Sequence, residues 1–163
     1  MKSLFLIRHA KSSWDTPVQD INRSISQRGI KDAHLIASRL VKLIPKSFIV
    51  WSSKAKRAVE TAYIFSEYLS ISFENIYFKE DLYTFDDVNL LKIIKKCKNE
   101  HDNLILFGHN EAITNFVNKF GDLYIDNVPT SGVVVLQFET DNWEKISKGK
   151  TITTLFPSQF KNE

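Results

Sequence analysis

The sequence is short of cysteine and of long apolar runs. Its 163 residues include a single cysteine, Cys97, so an intramolecular disulfide is excluded and a reducing, cytoplasmic location is expected. No stretch approaches the roughly 18 apolar residues of a membrane span. The N-terminal apolar run from Leu4 to Ile7 is too short for the core of a secretion signal. We therefore expect neither a membrane anchor nor a leader peptide.

The net charge is also small, and the basic residues are spread along the sequence rather than concentrated. The chain carries 22 basic and 19 acidic residues, for a net charge of +3. A nucleic-acid-binding domain would mass its lysines and arginines on one surface, so no nucleic-acid partner is expected, only a mild attraction for anions. The sequence contains no linker, repeat or low-complexity segment. We therefore expect residues 1–163 to form a single domain.

Short apolar runs alternate with stretches of helical periodicity along the chain. The alternation predicts a three-layer α/β fold, with a mostly parallel central sheet and helices on both faces. The predicted strands are 4–7, 48–51, 76–78, 104–107 and 133–138, and the predicted helices are 26–43, 56–69, 88–98 and 111–120. A last strand around 143–146 is expected to pair with 133–138 as an antiparallel edge. The polar tail after Gly149 is expected to lie on the surface.

Chemically capable side chains follow four of the predicted strands. In open α/β sheets, ligands bind beyond the carboxyl ends of the strands, so these residues should share one edge. They are Arg8 and His9 after the first strand, Ser52, Ser53 and Arg57 after the second, Glu80 and Asp81 after the third, and Gly108, His109 and Asn110 after the fourth.

These residue types indicate a phosphoryl group as the ligand. Arginine forks match phosphate oxygens in pairs and stay charged. A histidine beside arginines is driven towards its neutral form, whose lone pair can attack phosphorus. Arginines and a second histidine would supply the positive charge that phosphoryl transfer needs. We therefore expect no metal ion and no cofactor.

The segment LIRHAKSSW resembles the Arg-His signature of the histidine phosphatase superfamily, and within it the SixA-type phosphohistidine phosphatases. Three further segments resemble family motifs: Ile25–Gly29 the "LSxxG" motif, Ser53–Ala62 the "SPxxRAxxTA" motif, and Phe107–Asn110 the "GHN" motif. The turn Val128–Gly132 resembles the family's Pro-Thr-Gly-Gly turn, with Ser131 in place of one glycine. The resemblance covers nearly the whole chain and implies a phosphoglycerate mutase-like fold.

The resemblance also implies roles for individual residues. His9 is expected to be the nucleophile that becomes phosphohistidine, and Arg8, Arg57 and His109 are expected to bind the phosphoryl group. Glu80 is the tentative proton donor, with Asp81 as the alternative. Ser12 could contact the phosphate or cap the loop, and the sequence leaves both possibilities open.

The implied function is that of a metal-independent phosphatase. From Arg57 to Glu80 the chain runs only 23 residues (80 − 57), which leaves no room for the cap insertion with which larger members enclose small phosphometabolites. An open site suits a phosphohistidine on a protein surface. A broad-specificity phosphomonoesterase acting on small phosphate esters and a phosphate-binding module without turnover remain alternatives. We expect a monomer.

Overall fold

In the computed structural model, which describes residues 1–161, six strands form one sheet in the order β3-β2-β4-β1-β5-β6. Strands β1 to β4 run parallel, whereas β5 and β6 are antiparallel to their neighbours. The strands are β1 (Lys2–Arg8), β2 (Ile49–Ser53), β3 (Ile76–Lys79), β4 (Asn103–Gly108), β5 (Val133–Phe138) and β6 (Lys150–Leu155). The predicted mostly parallel sheet with an antiparallel edge is confirmed.

Four α-helices cover the two faces of the sheet. They are α1 (Gln27–Leu40), α2 (Lys56–Leu69), α3 (Asp87–Ile94) and α4 (Ala112–Phe120). Phe5 and Ile7 of β1 share one buried cluster with α1 and α2, whereas Leu4 and Leu6 share the other with α3 and α4. This alternation follows from the two-residue period of a strand, and it produces the predicted three layers.

Strand β1 is central because both of its neighbours are long and apolar. It pairs with β4 on one side and with β5 on the other, and its core residues are fully buried. At its carboxyl end, the Arg8 N–H donates to the Gly132 carbonyl at 3.0 Å, and the His9 N–H donates to the Gly108 carbonyl at 3.1 Å. The first site residues are therefore held from two sides by the sheet.

The antiparallel edge strand is not the one predicted. Residues Trp143–Lys145 form a 3₁₀ turn rather than a strand, because the Trp143 indole is fully buried and donates to the His101 carbonyl at 2.7 Å. The pairing partner of β5 is β6, in the segment that was expected to lie on the surface as a polar tail. The threonines of β6 are polar but β-branched, and this combination suits the half-exposed position of an edge strand.

Within residues 1–161, no helix is both long enough and apolar enough to cross a membrane. The lone cysteine, Cys97, is buried in the core beside α3, and burial raises the pKa of its thiol to about 11. Its role is therefore packing, since the reactive thiolate form is disfavoured at neutral pH.

Candidate active site

A polar cleft of about 280 Å³ opens at the carboxyl edge of the parallel strands. Arg8 and His9 reach it from the end of β1, and Arg57 from the first turn of α2. Its other lining residues are Lys11, Ser12, Trp14, Asp20, Arg23, Phe85, Asn110 and Thr130. The strand-end residues Arg8, His9 and Arg57 are thus brought together as the sequence predicted.

The imidazole of His9 is held in one tautomer. Its Nδ1 lies 2.7 Å from the Ala10 carbonyl, which can only accept, so Nδ1 carries the proton. Its Nε2 lies 3.3 Å from the Nε–H of Arg57, which can only donate, so Nε2 carries a lone pair. Burial lowers the pKa of His9 most, the Ala10 carbonyl raises it, and the charges of nearby arginines lower it further, to about 4. The ring is therefore neutral at physiological pH.

The loop after His9 is fixed by helix α2 and by the start of α1. Thr61, one turn after Arg57, accepts from the Ala10 N–H at 2.9 Å and donates to the Arg57 carbonyl at 2.7 Å. Ser26 caps α1 through the Gly29 N–H and donates to the Lys11 carbonyl at 3.0 Å. A Cβ on Gly29 would lie 2.3 Å from that carbonyl, so only glycine allows this approach.

Arg57 is almost fully buried and is held by Asp20. Its Nη1 donates to the Asp20 backbone carbonyl at 2.7 Å, and its Nη2 donates to Asp20 Oδ2 at 3.0 Å. Burial raises the pKa of Asp20, but hydrogen bonds from Tyr83 and Arg57 outweigh it and lower the pKa to about 2. At neutral pH, Asp20 is therefore an anion that is paired with the guanidinium of Arg57.

Arg8 enters the cleft under the turn that precedes β5. Its Nη1 donates to the Val128 carbonyl at 2.8 Å, and its own carbonyl accepts from the Ser131 N–H at 3.0 Å. Burial and the charge of Arg57 lower the pKa of Arg8, while Glu111 raises it. Ser131 makes these contacts with a φ of 63°, a conformation that normally favours glycine.

His109 follows β4 and lies beside His9, with 5.2 Å between the ring centroids. Its Nε2 is 2.8 Å from Ser53 Oγ at the end of β2, and the rings of Tyr83 and Phe85 pack against it. Burial, followed by the neighbouring His9, lowers the pKa of His109 to about 2. His109 is therefore neutral at physiological pH, and the arginines, rather than this histidine, supply the positive charge of the cleft.

A third arginine, Arg23, was not predicted from the sequence. It is buried, its Nε donates to Asp20 Oδ1, its Nη2 forms an ion pair with the same oxygen, and its guanidinium stacks 3.6 Å from the centroid of the Trp14 ring. Trp14 itself exposes 79 % of its surface at the mouth of the cleft. The loop between β1 and α1 therefore adds a charge and an aromatic ring to the site.

The two predicted carboxylates lie apart from the cleft. Glu80 and Asp81 are exposed, and the Glu80 carboxylate lies 3.5 Å from Lys54 Nζ rather than against the histidines. Tyr83, three residues after Glu80, reaches the site instead and donates a hydrogen bond to Asp20 Oδ2. Ser12 lines the cleft, and its backbone forms an isolated antiparallel bridge with Ile25.

Sequence reasoning missed Asp20, Arg23, Thr61 and Tyr83. A signal existed only for Thr61, which lies four residues after Arg57 and so on the same face of α2. As for metals, no group of three or more histidine, cysteine, aspartate or glutamate side chains within residues 1–161 is placed to hold an ion.

Comparison with known families and structures identifies relatives of this fold. The sequence matches the family model of the histidine phosphatase superfamily (branch 1) over residues 4–83. That range includes Arg8, His9, Asp20 and Arg57, the residues that meet at the centre of the cleft. No curated protein matches the sequence.

Solved structures similar to this chain cover nearly all of it. The protein histidine phosphatase SixA complexed with tungstate has a TM-score of 0.82 at 17% identity, covering 98% of this chain and 99% of its own. A mycobacterial glucosyl-3-phosphoglycerate phosphatase has a TM-score of 0.66 at 12% identity, covering 93% and 97%. A phosphoserine phosphatase mutant from Entamoeba histolytica, in complex with phosphoserine, has a TM-score of 0.63 at 14% identity, covering 98% and 100%. At these identities the likeness concerns the fold.

Proposed function

We propose that the chain is a phosphatase of the histidine phosphatase superfamily and that it removes the phosphoryl group of protein phosphohistidine. The reaction runs through a phosphorylated His9 and needs no metal ion. One observation carries the choice of substrate: the carboxylate that lines the cleft, Asp20, is ion-paired and cannot donate a proton at neutral pH.

In the first step, the lone pair on His9 Nε2 attacks phosphorus. The bond from phosphorus to the leaving nitrogen breaks, and its electrons go to the leaving imidazole. The Ala10 carbonyl, 2.7 Å from Nδ1, stabilises the positive charge that the His9 ring acquires. In the second step, a water oxygen attacks phosphorus, the P–Nε2 bond breaks with its electrons returning to Nε2, and the product leaves as dihydrogen phosphate, which carries both protons of the water.

The phosphoryl oxygens are stabilised by the arginines and by a neutral donor. Arg8 and Arg57 line the cleft together with His9 and offer charged N–H groups, which suit the charge that spreads over the equatorial oxygens in the transition state. His109 is neutral, and its Nδ1, which is buried without a hydrogen-bond partner, would contribute a hydrogen bond rather than a charge. Because the positive charge comes from arginine side chains, the proposed reaction does not depend on a divalent ion.

The leaving group decides between classes of substrate. Hydrolysis of an alkyl phosphate releases an alkoxide, which needs a proton from a general acid. That general acid catalysis contributes roughly 10²–10⁴ in rate. Asp20 cannot serve, and Glu80 and Asp81 are exposed away from the lining of the cleft. The imidazole of phosphohistidine can be protonated on its distal nitrogen beforehand and leave neutral. A site without a general acid therefore favours the phosphoramidate.

The form of the cleft mouth supports a protein substrate. Between Arg57 and Glu80 the chain forms the rest of α2, a 3₁₀ turn and β3, so no cap is inserted there. Trp14 and Phe85 flank the opening and expose 79% and 50% of their surfaces. We infer a cytoplasmic enzyme, since reducing conditions suit the free thiol of Cys97.

A second candidate is a phosphatase of small esters. Two structures with this fold, the mycobacterial glucosyl-3-phosphoglycerate phosphatase and the phosphoserine phosphatase, are named for ester substrates. The pocket features that bind the phosphoryl group suit both classes of substrate. Within residues 1–161, the one carboxylate in the lining of the cleft is Asp20, which cannot donate a proton at neutral pH, and this favours the first candidate. A binding module without turnover is disfavoured because a binder does not need a neutral histidine with a lone pair on Nε2 in the cleft.

The experiment that tests the proposal compares kcat/KM across substrates. A histidine-phosphorylated protein, phosphoserine, a sugar phosphate and p-nitrophenyl phosphate are each offered to the purified enzyme in EDTA. The phosphohistidine protein should rank first, and the activated aryl ester should exceed both alkyl esters. Faster hydrolysis of phosphoserine or the sugar phosphate would refute the leaving-group argument and favour the second candidate.

A further inference from the structure

We propose that Asp20 is a positioning residue, which holds Arg57 against the reacting nitrogen of His9 and lowers the positive charge of the cleft. The inference rests on the proposed function, because it assigns Asp20 a part in the same phosphoryl-binding site. Asp20 lies at the start of a 3₁₀ turn, Asp20–Asn22, between β1 and α1.

The guanidinium of Arg57 is oriented mainly by this one residue. Two of its three nitrogens donate to Asp20, Nη1 to the backbone carbonyl at 2.7 Å and Nη2 to Oδ2 at 3.0 Å. The third nitrogen, Nε, lies 3.3 Å from His9 Nε2. A planar fork fixed along one edge has little freedom to rotate, so Asp20 determines that Nε faces the nucleophile.

Asp20 also joins three separate segments around the cleft. Its Oδ1 accepts from Arg23 Nε at 3.2 Å and forms an ion pair with Arg23 Nη2 at 3.1 Å, and its Oδ2 accepts from the Tyr83 hydroxyl. The loop after β1, the first turn of α2 and the segment after β3 therefore meet at one carboxylate. A carboxylate with this many donors keeps a fixed geometry, and so does the arginine that it holds.

The charge of Asp20 acts on the phosphate as well as on Arg57. Arg8, Arg23, Arg57 and Lys11 line the cleft, and Asp20 is the one carboxylate among the lining residues found within 1–161. A cleft with four cations and no anion would bind inorganic phosphate more tightly and release it more slowly. The Asp20 carboxylate offsets part of that charge and so favours the departure of the product.

The test separates orientation from charge. Asp20→Asn keeps the backbone carbonyl and one side-chain oxygen but removes the charge, whereas Asp20→Glu keeps the charge. Asp15→Asn is the matched control, since Asp15 is exposed on the same loop, outside the lining of the cleft. Binding of inorganic phosphate is measured by calorimetry, and kcat and KM are measured on a phosphohistidine protein and on p-nitrophenyl phosphate.

The expected result is a change of opposite sign in the two measurements. Asp20→Asn should bind phosphate roughly two- to fivefold more tightly, the size expected for one partly exposed charge. Its kcat should fall about tenfold or more, because a neutral amide holds Nη2 of Arg57 less firmly than the carboxylate does, although the backbone contact to Nη1 remains. Asp20→Glu should bind phosphate as the wild type does and recover part of kcat, and Asp15→Asn should match the wild type in both.

Two results would overturn the inference. Weaker phosphate binding together with lower kcat in Asp20→Asn would mean that the residue only supports the loop. Phosphate affinity equal to that of the wild type would remove the charge argument. If the wild type turned over neither substrate, the proposed function would fail, but the comparison of phosphate affinities would still decide the inference about Asp20.

Discussion

Replacing His109 with glutamine should make the stability of the protein less sensitive to acid. Glutamine does not titrate, but its amide can still bond to Ser53 Oγ, the partner of His109 Nε2 at 2.8 Å. His109 exposes only 2% of its surface, and burial is the main reason that its pKa falls from 6.5 to about 2. The unfolded chain has no such burial, so the two states of the wild type bind protons at different pH values.

The size of the effect follows from that difference. A histidine whose pKa is lower in the folded state does not affect stability above about pH 6.5. As pH falls below that value it lowers stability, because the unfolded chain takes up the proton first. At pH 4 the folded state, with a pKa of about 2, still has not bound it. The gap of about 2.5 pH units (6.5 − 4) at 1.36 kcal/mol each gives a loss of about 3 kcal/mol. His9, present in both proteins, cancels in the comparison.

Urea denaturation at pH 7 and pH 4 measures the effect. The wild type should lose about 3 kcal/mol more than His109→Gln between the two pH values. Near-ultraviolet circular dichroism at pH 7 checks that the variant is folded, and nitrogen NMR of the wild type at pH 5 should show a neutral His109 ring. Equal losses in the two proteins, or an imidazolium signal from His109 at pH 5, would refute the reasoning.

Four further predictions concern catalysis and backbone strain. His9→Ala should abolish turnover and the acid-labile phosphate trapped on the wild-type enzyme, and retained activity would end the covalent mechanism. Activity should survive EDTA, and loss that added metal restores would contradict the role given to the arginines. Glu80→Gln and Asp81→Asn should each change kcat less than about twofold on phosphohistidine or alkyl phosphate, because neither residue lines the cleft. A loss near the roughly 10²–10⁴ of general acid catalysis would instead make one of them the proton donor. Ser131→Gly should raise the free energy of unfolding by about 1 kcal/mol in urea titrations, since it relieves a φ of 63° and removes a buried hydroxyl without a partner. A free energy of unfolding below that of the wild type would refute this.

Regular elements were predictable because their residue patterns are strong. Helix α2 spans Lys56–Leu69 as predicted, because helical periodicity is a local property. The edge strand β6 was missed because its own residues show no such strong local pattern. Its threonine-rich sequence has a polar composition, and only pairing with β5 reveals the strand. Trp143, apolar and aromatic, suggested a strand there but is buried in a 3₁₀ turn.

The site was predictable where it depends on strand ends and not where it depends on loops. The rule that parallel strands end at one edge brings His9 and Arg57 together. It placed Glu80 at that edge as well, but β3 is the outermost strand, three positions from β1. Asp20 and Tyr83 lie in irregular segments 63 residues apart, and their contact follows from the closed fold rather than from any sequence spacing.

The stacking of Trp14 on Arg23 gives the protein an intrinsic optical reporter. Of the three tryptophans, Trp51 and Trp143 are buried in the core, whereas Trp14 is largely exposed beside the cleft. An aqueous quencher such as acrylamide should therefore act on Trp14 before the other two. The Arg23 guanidinium lies 3.6 Å from the centroid of that ring and also lines the cleft. An anion that binds to the guanidinium therefore changes the surroundings of the indole. The contribution of Trp14 to the tryptophan emission should thus report ligand entry in real time, without label or substrate turnover.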